Sequence, residues 1–224
     1  MLNVGVLASG RGTNLQAILD ACARGELPAR VAVVVSDNPD AGALARARQA
    51  GVPAFFVDPR GRKKGEFEGE ISRVLREHNV ELVCLAGYMR VLGRSFLKEW
   101  EGRVLNIHPS LLPAFPGLEA QRQAWEWGVK VAGCTVHFVV PEVDAGPIVL
   151  QAAVPVLGHD TPETLAARIL EQEHRIYVQA IRLYAEGRLR IEGRRVKILA
   201  PSDERHEGAR GAGGHPAAEG EGKA

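Results

Sequence analysis

The sequence has few cysteines and none of the spacings that mark a disulfide framework or a zinc site. Cys22, Cys84 and Cys134 are far apart along the 224 residues, and no Cys-x-x-Cys pair occurs. Cys84 and Cys134 lie in apolar, strand-like runs, where a buried thiol is unreactive. The cysteines therefore indicate neither disulfides nor a metal ligand set, and we expect no bound metal.

Long apolar runs and an excess of charge are also missing. No run of 18 apolar residues occurs, which excludes a membrane-spanning helix. The formal net charge is +1, so the chain lacks the excess of positive charge that is typical of nucleic-acid-binding proteins. The N-terminal stretch MLNVGVLASGRG lacks the basic region and cleavage pattern of a signal peptide. We therefore expect a cytoplasmic protein without nucleic-acid or membrane partners, either a monomer or a homodimer.

The first hundred residues instead alternate apolar runs with helical patterns. The apolar runs predict strands at 2–8, 31–36, 53–57, 81–86 and 104–107, and the helical patterns lie at 13–23, 41–50, 65–78 and 94–100. Nearly continuous apolar runs are typical of strands that are covered on both faces. This β-α-β alternation predicts an α/β fold with an open, mostly parallel twisted sheet and helices on both faces.

The pattern changes in the second half of the chain. Two strand-like runs at 130–140 and 148–156 predict an antiparallel pair, and a helix follows from Thr161, with Pro162 at its first position, to about Glu186. Short runs at 189–191 and 196–199 close the predicted fold. Residues 201–224 are rich in Gly, Ala and charge without apolar periodicity, which predicts a disordered tail after a single domain of residues 1–200.

The stretch ASGRGTNLQAI, Ala8 to Ile18, combines a strand end, a glycine turn and a helix start. Free amides at a helix N-terminus bind anions. The dinucleotide fingerprint requires a small residue where this chain has Leu15, and no Gly-Lys-Ser/Thr follows, so a phosphate monoester fits better than a pyrophosphate. The alternative is a structural glycine turn in which Thr13 caps the helix.

The stretch NIHPSLLPAFPG, Asn106 to Gly117, places two polar side chains at the end of an apolar strand. In an open α/β sheet the ligand crevice lies beyond the carboxyl ends of the strands. Asn106 and His108 are two residues apart and so point to the same side, and Pro109 keeps His108 extended. Two hydrogen-bond donors that face one cavity can stabilise an oxyanion. The position of His108 taken alone favours a structural role.

Two carboxylates extend this arrangement. Asp144 lies in the loop between the two later strands, where it is either a turn former or, if the loop folds over the crevice, a partner for His108. Glu173 lies on the apolar stripe of the last long helix, so it needs a partner. That partner is either an arginine of the fold or a hydroxyl or amine of a ligand.

Together, SGRGTNLQAI, LAGYMRVL, NIHPSLLPAFPG and HFVVPEVDAGPI resemble the folate-dependent phosphoribosylglycinamide formyltransferases over about residues 1–200. The resemblance implies a Rossmann-like formyltransferase fold. It also implies transfer of the formyl group of 10-formyltetrahydrofolate to the amine of 5′-phosphoribosylglycinamide (GAR) in purine (IMP) biosynthesis, without a metal. Residues 1–100 would form a phosphate-binding half, and residues 101–200 a folate-binding and catalytic half.

The resemblance also implies roles for individual residues. It assigns catalysis to Asn106, His108 and Asp144, and GAR binding to Gly12, Thr13, Asn14 and Glu173. It assigns folate binding to Lys64, Met89, Arg90, Val91, Leu92, Val140, Pro141, Glu142 and Val143. The family usually has arginine where this chain has Lys64, and the flanking sequence differs.

Three alternatives stay open at this point. Methionyl-tRNA formyltransferase shares the HPSLLP motif, but its relatives continue with Arg-Gly where this chain has Pro116 and Gly117, and they carry a further tRNA-binding domain. Formyltetrahydrofolate hydrolase has the same core behind an extra N-terminal domain. A nucleotide- or NAD-binding module would use Asp37 for a ribose, although Leu15 and the Asn106, His108 and Asp144 set count against it.

Overall fold

The computed structural model describes residues 1–201, and its elements alternate as the sequence predicts. The strands are β1 (Leu2–Leu7), β2 (Ala29–Ser36), β3 (Ala54–Phe56), β4 (Leu82–Leu85), β5 (Val104–His108), β6 (Val131–Phe138), β7 (Ile148–Pro155), β8 (Leu189–Glu192) and β9 (Arg195–Ile198). The helices are α1 (Thr13–Ala23), α2 (Gly42–Gln49), α3 (Lys64–Glu77), α4 (Arg94–Glu99), α5 (Ala120–Trp127) and α6 (Pro162–Ala185).

The strands form one sheet in the order β3-β2-β1-β4-β5-β6-β7-β9-β8. β1 to β5 pair in parallel, whereas β6 is antiparallel to both β5 and β7. The predicted α/β sheet with an antiparallel C-terminal pair is therefore confirmed. The chain order reverses between β1 and β4, and ligands of open α/β sheets bind beyond the carboxyl ends of the strands at such a point.

Two apolar layers cover the two faces of the sheet. The layer that includes Leu15, Leu44, Ala124 and Ile169 packs α1, α2, α5 and α6 against one face. The layer that includes Ile71 packs α3 and α4 against the other. Nearly continuous burial of β4 follows from this double cover, as its uninterrupted apolar sequence predicts.

Helix α5 is the element that the sequence pattern does not predict. It has eight residues, of which Ala120 and Ala124 are buried, so its apolar stripe is only one turn long. Glu119 precedes the helix in a left-handed conformation and makes no side-chain capping bond, so the sequence also lacks a capping residue that would mark the start of the helix. Apart from Pro201, the predicted tail lies outside the described residues, and the division of the domain at residue 100 stays a prediction.

Candidate active site

A cleft of about 760 Å³ opens at the carboxyl ends of β1, β4 and β5. Most residues singled out from the sequence line it, namely Asn14, Met89, Arg90, Val91, Leu92, Asn106, His108, Val140, Pro141, Val143, Asp144 and Glu173. Gly12, Thr13, Lys64 and Glu142 do not belong to the lining. The parallel sheet thus brings side chains from distant parts of the chain to one edge.

His108 ends β5 and is only 5% exposed. Its Nε2 lies 2.9 Å from the carbonyl oxygen of Phe115, which can only accept, so Nε2 carries a proton. Its Nδ1 faces Oδ2 of Asp144 at 3.5 Å, within ion-pair range but beyond a good hydrogen bond. A second proton on the ring therefore makes Nδ1 a donor directed at the carboxylate and the cleft.

Asp144 is held in place by the backbone around it. Its φ is 51°, in the left-handed region, and its Oδ2 accepts a hydrogen bond of 2.7 Å from the backbone N–H of Gly117. Gly146 lets this loop close onto β6, because a Cβ there would lie 1.7 Å from the carbonyl oxygen of Phe138. The loop between β6 and β7 thus folds over the crevice, as the pairing of Asp144 with His108 requires.

His137 on β6 joins this group, although the sequence does not single it out. Its Nδ1 lies 2.9 Å from the carbonyl oxygen of Phe138 and so donates, which leaves Nε2 of the neutral ring to accept from Nδ2 of Asn106 at 3.2 Å. Burial lowers the pKa of His137, against smaller raising effects of the Phe138 carbonyl and Asp144. The ring is 2% exposed, and this neutral form fixes the orientation of the Asn106 amide.

The loop after β5 is tied to β6 and β7 by hydrogen bonds to Thr135. The Thr135 hydroxyl donates to the carbonyl of Ser110 at 2.7 Å and accepts from the backbone N–H of Leu112 at 3.1 Å. Gln151 donates to the carbonyl of Leu112 and to the Thr135 hydroxyl, both at 3.0 Å. This network fixes the loop whose backbone contacts His108 and Asp144.

Asn14 and Glu173, which also line the cleft, form a buried pair. Nδ2 of Asn14 donates to Oε2 of Glu173 at 2.9 Å, so the alternative of an arginine partner for Glu173 is wrong. Burial raises the pKa of Glu173, and the bond from Asn14 offsets part of that rise. Oδ1 of Asn14 is buried and has no partner within residues 1–201. A ligand donor is the missing partner that this geometry would accept.

The turn between β1 and α1 is capped by its glycine. Gly12 is the N-cap with φ 77° and no side-chain cap bond, so the alternative in which Thr13 caps the helix is wrong. A Cβ at Gly12 would lie 2.7 Å from Cα of Ala43, so the close packing against α2 also requires glycine. Within the described chain, the backbone N–H groups of Thr13 and Asn14 have no acceptor. These amides are available to an anion.

Asp37 organises the segment that follows β4. Its Oδ1 accepts from the Ser9 hydroxyl at 2.6 Å, and its Oδ2 accepts from Nε of Arg90 at 2.8 Å. The Ser9 hydroxyl in turn accepts from the backbone N–H of Met89 at 3.0 Å. Both carboxylate oxygens are therefore occupied, which counts against a ribose-binding role for Asp37.

Lys64 lies at the start of α3, beside the main cleft. Its Nζ is 3.9 Å from Oε1 of Glu68. It lines an adjoining cavity of about 470 Å³ that shares Met89, Arg90 and Val91 with the main cleft. A ligand that extends out of the cleft past these shared residues would reach Lys64.

The cysteines lie in apolar surroundings. Burial raises the pKa of Cys84 and of Cys134 to about 12, as expected for unreactive core thiols.

Across residues 1–201, no group of three or more His, Cys, Asp or Glu side chains is placed to hold a metal ion. None of the helices in the described part is both long and apolar enough to cross a membrane.

The cleft of this α/β sheet brings together hydrogen-bond donors and a carboxylate, an arrangement that suits a group-transfer enzyme. Residues 2–181 match the formyl transferase family, and the chain belongs to that family. The chain is 46% identical over 193 residues to the phosphoribosylglycinamide formyltransferase of Haemophilus influenzae, covering 86% of this chain and 91% of that protein.

Two further relatives are similar over most of this chain. The trifunctional purine biosynthetic protein adenosine-3 of Gallus gallus is 47% identical over 191 residues, which cover 85% of this chain but 19% of that protein's length. The solved structure of glycinamide ribonucleotide transformylase 1 from Symbiobacterium toebii has a TM-score of 0.88 and 63% identity, with 89% of this chain and 95% of that chain covered.

Proposed function

We propose that the protein transfers the formyl group of 10-formyltetrahydrofolate to the amine of GAR, giving formyl-GAR and tetrahydrofolate in purine biosynthesis. The observation that carries this proposal is the convergence of Asn106, His108 and Asp144 on one wall of a cleft that also holds Asn14 and Glu173. Asn106 and His108 suit a carbonyl group that gains negative charge. Asn14 and Glu173 suit a hydrophilic substrate, and the free amides of Thr13 and Asn14 suit its anionic group.

The proposed reaction is direct attack of the GAR amine on the formyl carbon. A new C–N bond forms, and negative charge develops on the formyl oxygen, where the Asn106 amide and protonated His108 donate hydrogen bonds. When the bond to N10 breaks, the attacking nitrogen loses a proton and N10 gains one. Asp144 stabilises the imidazolium and relays that proton through water. No covalent enzyme intermediate and no metal take part in this route.

The two substrates occupy different stretches of the chain in this proposal. The backbone of Gly12 to Asn14 binds the GAR phosphate, and Glu173 accepts from a hydroxyl or amine of GAR. The folate head lies along residues 89–92 and under residues 140–143, largely on backbone groups. Lys64 reaches the folate tail through the adjoining cavity. The enzyme would act as a monomer or homodimer, without nucleic acid.

The direct test is a coupled assay of formyl transfer with 10-formyltetrahydrofolate, run with and without GAR. We expect tetrahydrofolate and formyl-GAR to form in equal amounts, and only when GAR is present. Release of formate without GAR would instead indicate a hydrolase. Calorimetric titration with GAR, a folate analogue and NAD separates the remaining alternative, because binding of NAD without binding of GAR would contradict the proposal.

A further inference from the structure

The turn between β1 and α1 uses four of its backbone carbonyls inside the protein. The carbonyl oxygens of four consecutive residues, 9 to 12, each accept a hydrogen bond from a neighbouring group. In chain order the donors are Nδ2 of Asn38 at 3.2 Å, the N–H of Ala43 at 3.1 Å, Nε of Arg46 at 2.8 Å and the N–H of Gln16 at 2.9 Å. These four carbonyl oxygens are therefore directed into the protein and away from any ligand.

Arg46 contacts both this turn and the helix that follows it. From α2, its Nε donates to the carbonyl of Arg11, and its Nη1 donates to Oε1 of Gln16 at 3.1 Å on the first turn of α1. Gln16 is held in turn by Asp20, whose Oδ1 accepts from Nε2 of Gln16 at 2.8 Å. One half-buried guanidinium thus joins the residue before Gly12 to the helix after it.

We propose that Arg46 is a positioning residue for the phosphate of GAR, an inference that rests on the proposed function. A carbonyl oxygen turned towards a phosphate would repel it, and the Arg46 contact keeps the Arg11 carbonyl turned away. The free amides of Thr13 and Asn14 then face the phosphate together, and the guanidinium adds positive charge beside the helix N-terminus. Arg46 thus acts through the turn and through its charge, and its effect is confined to the phosphate.

The test compares Arg46→Met with Arg48→Met. Arg48 is an exposed arginine two residues further along α2, so its replacement is a matched loss of charge. Each protein is assayed with GAR and with the same glycinamide riboside lacking the phosphate. For Arg46→Met we expect KM for GAR to rise roughly tenfold to hundredfold, the range for a lost hydrogen bond to a charged group. We expect kcat, KM for the folate and kcat/KM for the unphosphorylated riboside to stay within about twofold.

Equilibrium binding gives a second readout that does not depend on turnover. Calorimetry with GAR alone should show a Kd increase in Arg46→Met that matches the rise in KM, and no increase in Arg48→Met. Circular dichroism should show that both variants are folded at the assay temperature, although the unfolding midpoint of Arg46→Met falls because two hydrogen bonds of a half-buried side chain are lost. An equal loss of kcat/KM on the phosphorylated and unphosphorylated substrates would overturn the positioning role. If the unmodified protein does not formylate GAR at all, the proposed function itself fails, which is a separate result.

Discussion

The side-chain amide of Asn106 donates to Nε2 of His137 at 3.2 Å, so the orientation of one proposed oxyanion donor depends on a histidine of the neighbouring strand. If the amide were flipped, its oxygen would face the lone pair of Nε2, which is unfavourable. The bond of His137 to the Phe138 carbonyl keeps the ring in the tautomer that accepts. The pair directs the remaining N–H of Asn106 independently of any substrate.

His137→Phe is therefore expected to lower kcat, because phenylalanine fills a similar volume without accepting from Asn106. The loss of one bond and of the fixed amide orientation should cost roughly tenfold to hundredfold. Steady-state kinetics with both substrates checks this, with His159→Phe as the control because His159 is exposed. An unchanged kcat in His137→Phe would show that Asn106 is oriented by other contacts.

Replacing the proposed oxyanion donors themselves should have a larger effect. His108→Ala and Asn106→Ala are each expected to lower kcat about 10²–10³-fold, which is the usual cost of losing one such donor. Circular dichroism and the unfolding midpoint should show that the fold is retained. If either variant turns over near the rate of the unmodified enzyme, its assigned role is wrong.

Asp144→Asn is expected to slow the reaction. The carboxylate lies 3.5 Å from Nδ1 of His108 and 3.7 Å from Nε2 of His137, and a nearby negative charge favours the protonated form of an imidazole. Without that charge, the imidazolium that donates to the formyl oxygen loses its stabilising partner, so steady-state kinetics should show a lower kcat. The exposed Glu126→Gln change provides a control of equal charge. A kcat equal to that of the unmodified enzyme would exclude the link between Asp144 and the histidines.

Glu173→Gln is expected to stabilise the protein near neutral pH while weakening GAR binding. Burial raises the pKa of Glu173 in the folded state, so the native protein holds this proton more tightly than the unfolded chain does. The free energy of unfolding should therefore fall as pH rises from the unfolded pKa through the raised folded pKa. Glutamine does not ionise, so it avoids the cost of burying a charge, and its side-chain oxygen still accepts a hydrogen bond from Asn14.

Urea unfolding between about pH 4 and pH 8 tests this expectation, since the unfolded pKa of glutamate lies near the low end of that range. The stability difference between Glu173→Gln and the unmodified protein should grow with pH and then level off. The exposed Glu171→Gln change on the same helix is the matched control for the loss of one carboxylate. A difference that stays constant with pH would mean that Glu173 does not titrate differently on folding.

Asp37→Ala is expected to raise KM for 10-formyltetrahydrofolate several-fold to about tenfold, because it removes the acceptor that orders both Ser9 and Arg90. The backbone of residues 89–92 would then lose a support of its conformation. Asp58→Ala, which removes a local pair with Arg60 in an exposed loop, is the matched control. Equal KM values for the folate in both variants would contradict a role of Asp37 in ordering this segment.

Much of the fold follows from local sequence patterns. Continuous apolar runs predict β1 to β5, and β4 shows the physical reason, because a strand that is covered on both faces needs no polar alternation. Pro162 and the apolar stripe predict α6, and Gly12 predicts the turn into α1. These signals are local, so the bounds in the structure differ from the predicted ones by only one or two residues. The short helix α5 lacks such signals.

The spacing of Asn106 and His108 is enough to place them on one side of a strand end, because side chains along a strand alternate with a period of two. The partners of these side chains depend instead on long-range packing. His137 lies in a strand that is buried on both faces, so no alternation distinguishes it, and it meets Asn106 only through the register of β5 with β6. The partner of Glu173 is Asn14, 159 residues away in the chain, rather than an arginine. Such bonds depend on the packing of α6 against α1, a long-range relationship that local patterns do not encode.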